Sequence, residues 1–158
     1  MTTPNPYAPP QAALKDAPPG AGSAIKAVTL GLLADIGGTF AATIVLMVIY
    51  GIVLGASGAG VEEITAAADF ASTDSWLFYL SAAVGLAFSV LGGYVCARIA
   101  RRNEMKLGAV LAAISAVSGF VLAGDTYQLG TLLSLTLAGI IAVMIGARLG
   151  YRKNRGTK

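Results

Sequence analysis

The stretch WLFYLSAAVGLAFSVLGGYVCAR (76–98) carries no charged side chain before Arg98. A helix needs about 20 consecutive apolar residues to cross the hydrocarbon core of a bilayer, so this stretch predicts a transmembrane helix. Working outward from it, the apolar stretches predict four spans, at about 27–55, 76–98, 107–123 and 129–149. The sequence therefore predicts an all-α fold, a four-helix transmembrane bundle within residues 24–150.

The composition of the whole chain agrees with a lipid environment. Of 158 residues, 56% are hydrophobic and 12% are charged, and the mean hydropathy is +0.73. An ordinary soluble domain has about 25% charged residues. The chain has no histidine and one cysteine, which excludes histidine-based catalysis, histidine metal sites and intrachain disulfides. We therefore predict no enzymatic activity, no metal site and no cofactor.

The charged residues divide between the two sides of a four-span chain. The basic residues all fall with the N-terminal tail, the loop 98–106 or the C-terminal tail, whereas the loop 56–75 and the turn 124–128 carry only acids. The positive-inside rule then predicts that both termini are cytoplasmic. The same rule accounts for the basic pI without a nucleic-acid partner. The expected anchors at the lipid headgroups are Trp76, Arg98, Arg101, Arg102, Arg148, Arg152 and Lys153.

The two ends of the chain lie outside the predicted spans. Residues 1–23 hold all six prolines, and proline removes backbone donors, so this segment is predicted to be a disordered tail. Residues 151–158 are predicted to be a basic cytoplasmic tail. The loop 56–75 is expected to hold one short interfacial helix that includes Val61 and Ile64.

Small residues recur at every fourth position in two of the predicted spans. In lipid, such stripes let helix backbones approach closely. Two interpretations stay open: packing inside the bundle, or contact with a second copy or another membrane protein. The stripe of the second span is Ser81, Gly85, Ser89, Gly93 and Ala97, and that of the fourth is Gly130, Ser134, Ala138, Ala142 and Gly146.

Asp35 is the one acid inside an apolar stretch, in LLADIGGTF (32–40). Steps of four residues place Thr39 and Thr43 on the same helix face. A carboxylate at the bilayer centre costs at least about 2.5 kcal/mol and usually has a function. Three interpretations stay open: proton or ion coupling, pairing with an arginine such as Arg98 or Arg148, or a position at the cytoplasmic headgroups, where the charge costs little.

The stretch GGYVCARIARRNEMKLGAVLAAISAVSG (92–119) resembles a group of small bacterial four-helix membrane proteins. In that group the second helix ends in a Gly-Gly-Tyr-x-x-Ala-Arg-x-Ala pattern, and a basic turn leads into a third helix that begins with glycine. The first helix of the group often has an acid followed by glycine, as ADIGG (34–38) does. The resemblance implies four helices in a bacterial cytoplasmic membrane. It implies no activity and no functional residue.

Two functions follow as hypotheses. The first is a multi-pass membrane protein that acts by helix packing, as an oligomer or as an accessory subunit of a membrane complex. The alternative is a small oligomeric transporter or channel that uses Asp35 in the first helix. In both, the lipid bilayer is the predicted partner, and self-association or contact with another membrane protein is expected.

Overall fold

The computed structural model describes residues 22–67, 75–124 and 126–156. The proline-rich tail that is predicted to be disordered, residues 1–23, lies outside the described residues except for its last two positions. The acids Asp69, Asp74 and Asp125 also lie outside them. The described residues form helices and short connections, without a strand. In chain order the elements are α1 (Ala24–Leu32), a π-helical turn (Leu33–Gly37), α2 (Gly38–Ala56), α3 (Val61–Ala67), α4 (Trp76–Ala100), α5 (Glu104–Ala123) and α6 (Leu129–Arg155).

Four helical segments of the described chain are long and apolar enough to cross a membrane, which confirms the predicted number of spans. The first segment, Ala24–Ala56, joins α1, the π-helical turn and α2, and the others are α4, α5 and α6. The last helix continues through Arg155, so most of the predicted C-terminal tail is helical. The third span begins at Glu104, earlier than predicted. An acidic side chain in the first turn of a helix is stabilised by the positive end of the helix dipole, and Glu104 occupies this position.

Helix α4 is the centre of the bundle, since it packs along α6 and also contacts α1, the π-helical turn and α5. The α4–α6 contact depends on glycines that bring the two backbones together. A Cβ atom added to Gly93 would overlap the carbonyl of Val143, and one added to Gly146 would overlap the carbonyl of Val90. This part of the two small-residue stripes therefore packs inside the chain.

The half of the bundle where α4 and α6 end, and where α1 and α5 begin, is closed by close packing. We call this half the basic end because it carries the arginines of the α4–α5 connection and of the last turns of α6. Its buried cluster is Ala27, Cys96, Ala100, Leu111, Ala112 and Val143.

Asn154 ties the basic end together across three helices. Its Nδ2 donates to the carbonyl oxygen of Ala97 at 2.9 Å and to Oε1 of Glu104 at 3.4 Å. Its Oδ1 accepts from Arg98 at 3.1 Å. The backbone at Arg101 and Asn103 is left-handed, which makes the tight α4–α5 turn. Hydrogen bonds from α6 thus fix both sides of that turn.

The second half of the first span, helix α2, is packed much less than the rest. No residue of α2 (Gly38–Ala56) is buried, and Ile44 and Ile52 are 60% and 66% exposed. Helix α3 lies beside it, with Ile64 near Gly51 and Gly55. The predicted short helix in the loop 56–75 is therefore present at Val61–Ala67. The first span is held mainly through α1 and the π-helical turn.

Candidate binding site around Asp35

Asp35 is the one charged residue buried among the described residues, at 5% exposure. Both oxygens of its side chain accept hydrogen bonds from serines of other helices. Ser89 of α4 donates to Oδ1 at 2.7 Å, and Ser115 of α5 donates to Oδ2 at 2.5 Å. Both oxygens of this side chain therefore have a hydroxyl partner from a neighbouring helix.

The serine partners fix the level of Asp35 in the bundle. Ser89 lies near the middle of α4 (Trp76–Ala100), and Ser115 lies near the middle of α5 (Glu104–Ala123). Because the carboxylate bonds to both, it lies at the mid-level of the bundle and not at the end. A position at the cytoplasmic headgroups, one of the three interpretations of the sequence, does not fit this geometry.

The first span reaches the two serines because small residues let it approach α4. A Cβ atom on Gly92 would lie 2.7 Å from the Cβ of Asp35 and 2.7 Å from the carbonyl oxygen of Gly31. Asp35 itself lies in the π-helical turn Leu33–Gly37. Single π-helical turns inside α-helices are rare and occur frequently at functional sites. Close contact at Gly92 and this widened turn thus position the carboxylate.

A cavity of about 390 Å³ extends from Asp35 toward the end of the bundle opposite the basic end. It lies between α2, α4, α5 and α6, and Phe78 and Tyr127 flank its far part, with their rings 5.9 Å apart. From Ser89 to Phe78, α4 advances by about 16 Å at 1.5 Å per residue. The cavity is thus elongated. The carboxylate lies at its inner end, by which we mean the end nearest the basic end of the bundle, and the closely packed cluster lies beyond it.

Polar side chains from several helices line this cavity. Thr39 and Thr43, predicted to share a face with Asp35, both lie along it. The Thr39 hydroxyl donates to the carbonyl oxygen of Asp35 at 2.7 Å, and the Thr43 hydroxyl donates to that of Thr39 at 2.9 Å. The other hydroxyl-bearing residues of the lining are Ser81, Ser89, Ser115, Ser118, Tyr127 and Thr136.

The other predicted residues take several positions. In the α4 stripe, Ser81, Gly85 and Ser89 line the cavity, whereas Gly93 and Ala97 are buried at the basic end. The α6 stripe is exposed at Gly130 and Ser134, half-buried at Ala138, and buried at Ala142 and Gly146.

The predicted headgroup anchors lie at the two ends of the bundle. Trp76 is 60% exposed at the start of α4 and its ring packs against Tyr50. Arg98 donates to Asn154, and Arg148 is exposed, so neither arginine is the hydrogen-bond partner of Asp35. The remaining anchors, all exposed, are Arg101, Arg102, Arg152 and Lys153.

The sequence did not assign Ser89 and Ser115 to Asp35. The spacing of small residues predicts Ser89 only as a member of a packing stripe, because serine is common in Ala- and Gly-rich helices. One pattern in the sequence does point to them. Ser89 and Ser115 each place a hydroxyl near the middle of a predicted span, and a third span carries an acid, Asp35. The sequence does not single out Gly92 either, because its close contact with Gly31 and Asp35 depends on the position of the neighbouring helix.

Oxygen atoms are the only ligands that this site offers. Among residues 22–67, 75–124 and 126–156, no three His, Cys, Asp or Glu side chains lie together in a way that would hold a metal ion. One carboxylate and several hydroxyls instead suit a singly charged or hydrogen-bonding ligand. Comparisons with known protein families, with curated proteins and with solved structures give no match.

Proposed function

We propose that this is an integral membrane protein that binds a small solute at Asp35, as a transporter or as a channel. The observation that carries the proposal is the buried Asp35 carboxylate at the inner end of a hydroxyl-lined cavity. Burying a charge is costly, and ionisable residues inside membrane spans typically mark substrate or ion pathways. Helix packing alone does not require a charged group at this level, since neutral side chains can also form hydrogen bonds between membrane helices.

The shape of the bundle supports an access path from one side. The cavity occupies the half of the bundle away from the basic end, and the buried cluster around Leu111 and Val143 closes the other half. With the cytoplasmic termini that the charge pattern predicts, the cavity faces outward. A solute then reaches Asp35 from outside, and release inward requires the packed half to open.

The proposal is tested by the water accessibility of the cavity to charged thiol reagents. We expect Ser81→Cys, in the cavity wall of α4, to react with a cationic methanethiosulfonate (the ethylammonium) faster than with an anionic one (the ethylsulfonate). The ratio is normalised to that of a free thiol. Ser81 and Ser89 are eight residues apart, about 12 Å along the helix. At an effective dielectric constant near 20, a negative charge on Asp35 attracts the cation by about 1.4 kcal/mol and repels the anion by as much, so the rate ratio is expected to change by up to about a hundredfold.

Two controls make the labelling experiment decisive. Asp35→Asn in the Ser81→Cys background removes the charge and is expected to abolish the cation preference while labelling continues. Ala83→Cys lies on the exposed face of α4, outside the cavity lining, and is expected to stay unlabelled in lipid. Cys96 is fully buried, so the unsubstituted chain serves as the blank. Equal rates for both reagents in a folded protein would contradict the proposal.

A second candidate function is helix packing with a partner, as an oligomer or as an accessory subunit. The observation that favours it is α2, which buries no residue although it forms the second half of the first span. Helix α2 also forms one wall of the cavity. A neighbouring helix laid on α2 would support that wall. The α4 and α6 glycines at the basic end carry no such argument, because they pack against each other within the chain.

Cross-linking in intact membranes distinguishes whether lipid or another protein covers α2. If α2 has a protein partner, Ile52→Cys is expected to form disulfide or bifunctional-reagent adducts, at several times the yield of Ile141→Cys. Both isoleucines are similarly exposed, at 66% and 51%, and lie on α2 and α6 respectively. The adduct mass distinguishes a second copy from another protein. Equal low yields from both positions would mean that lipid alone covers α2.

A further inference from the structure

The charge of the cavity lining limits the charge of its ligand. Among the lining residues that belong to the described part of the chain, Asp35 is the one with an acidic or basic side chain, and Tyr127 is the one other titratable residue. A single carboxylate in a site of low dielectric constant is neutralised by one positive charge. A divalent ion or an anion would leave an uncompensated charge at the mid-level of the bundle.

The hydrogen-bonding groups at the inner end limit the chemistry of the charged head. Asp35 has two oxygens, and the hydroxyls of Ser89 and Ser115, which donate to them, keep lone pairs that can accept. The site therefore offers three acceptor groups, from three helical segments, that are joined in one hydrogen-bonded cluster. A primary ammonium has three N–H donors, whereas a quaternary ammonium has none.

The rest of the cavity is suited to an apolar body. Beyond Ser89 most of its lining residues are apolar, such as Leu86 on α4 and Leu122 on α5, and the hydroxyl-bearing residues named above lie among them. The cavity continues for about 16 Å along α4 to Phe78. An elongated hydrocarbon chain fits this space better than a compact polar solute, because it removes apolar surface from water along the whole length.

We infer that the ligand is a primary ammonium ion with an elongated apolar body, bound with its head on Asp35, Ser89 and Ser115 and its chain toward Phe78 and Tyr127. This inference rests on the function proposed above and names its substrate class. The serines discriminate by accepting N–H donors, so they select a primary amine over a methylated one. Asp35 supplies the charge preference, which both kinds of amine satisfy.

The test is equilibrium binding of three probes with the same alkyl chain to the full-length protein in lipid nanodiscs. The probes are n-octylammonium, n-octyltrimethylammonium and n-octanol, and empty nanodiscs correct for partition into lipid. We expect saturable binding of one n-octylammonium per chain. The trimethyl compound is expected to bind at least about tenfold more weakly, because it forms no hydrogen bond at the charged site. The alcohol is expected to show no saturable binding.

Two sets of variants separate the serines from the carboxylate. Asp35→Asn is expected to weaken n-octylammonium binding by at least about tenfold. The double variant Ser89→Ala, Ser115→Ala is expected to lower the preference for the primary over the trimethyl ammonium, with little change in binding of the latter. Because this is a ratio of two affinities in one protein, a general loss of folding would not produce it.

Equal affinity for the primary and trimethyl compounds, or a preference unchanged by the serine substitutions, would overturn the assignment of N–H recognition. If no amine binds but the cation preference of Ser81→Cys labelling still depends on Asp35, the substrate class is wrong and the proposed function stands. If neither amine binding nor the labelling preference depends on Asp35, both the substrate class and the proposed function are wrong.

Discussion

Gly146→Ala is expected to destabilise the bundle by about 3 kcal/mol, the upper part of the usual range for overpacking. A Cβ atom at this position would overlap the carbonyl oxygen of Val90 and lie 2.9 Å from the backbone nitrogen of Tyr94. Backbone atoms cannot turn away as a flexible side chain does, so α4 and α6 must separate. The measurement is the free energy of unfolding in mixed micelles, followed by loss of helicity.

Gly130→Ala is the matched control for that substitution, because it makes the same change near the start of the same helix. Nothing lies within 4 Å of the Cβ atom that it would add. Alanine also has a higher helix propensity than glycine, by about 1 kcal/mol in water. Gly130→Ala is therefore expected to leave stability unchanged or slightly higher. A similar loss for both variants would mean that α4 and α6 do not meet at Gly146.

The double variant Ser89→Ala, Ser115→Ala is expected to be less stable than the triple variant that also carries Asp35→Ala. The double variant leaves a buried carboxylate without its two donors, and hydrogen bonds to charged groups contribute about 1.5–3 kcal/mol each. The triple variant removes the charge as well, and replacing both partners of a buried hydrogen bond by apolar groups can be nearly neutral. Removing a third polar group thus raises stability.

The same unfolding measurement in mixed micelles checks this order, with the wild type as reference. We expect the triple variant to equal or exceed the wild type, and the double variant to fall below it by about 3 kcal/mol or more. The triple variant is also expected to lose the cation preference of Ser81→Cys labelling. If the double and triple variants unfold at the same denaturant concentration, the carboxylate is not held by these serines.

The four spans could be predicted from the sequence because a membrane span depends on local composition. Each apolar stretch is long enough by itself, and no knowledge of the neighbouring helices is needed. The small-residue stripes do not identify their own partner, since a stripe shows that a helix can approach another helix and not which one it contacts. The contacts of Gly93 with Val143 and of Gly146 with Val90 identify that partner as part of the same chain.

The site could be predicted only in part for the same reason. The spacing of Asp35, Thr39 and Thr43 within a single helix predicts that they share one face, and all three line the cavity. The partners of the carboxylate belong to other helices, 54 and 80 residues away in the chain. Their pairing depends on how each helix is rotated about its axis. The periodicity of the sequence defines this rotation weakly, because the lipid-facing and bundle-facing sides of a membrane helix are both apolar.

The distance along the chain between Asp35 and its serines has a consequence for the order of synthesis. Ser115 follows Asp35 by 80 residues, so at about 5–20 residues per second it is made roughly 4–16 s later. During this interval the first span exists without both of the serine hydroxyls that donate hydrogen bonds to Asp35 in the folded bundle. The nascent chain must therefore keep this aspartate hydrated, neutral or in contact with the insertion machinery until α5 emerges.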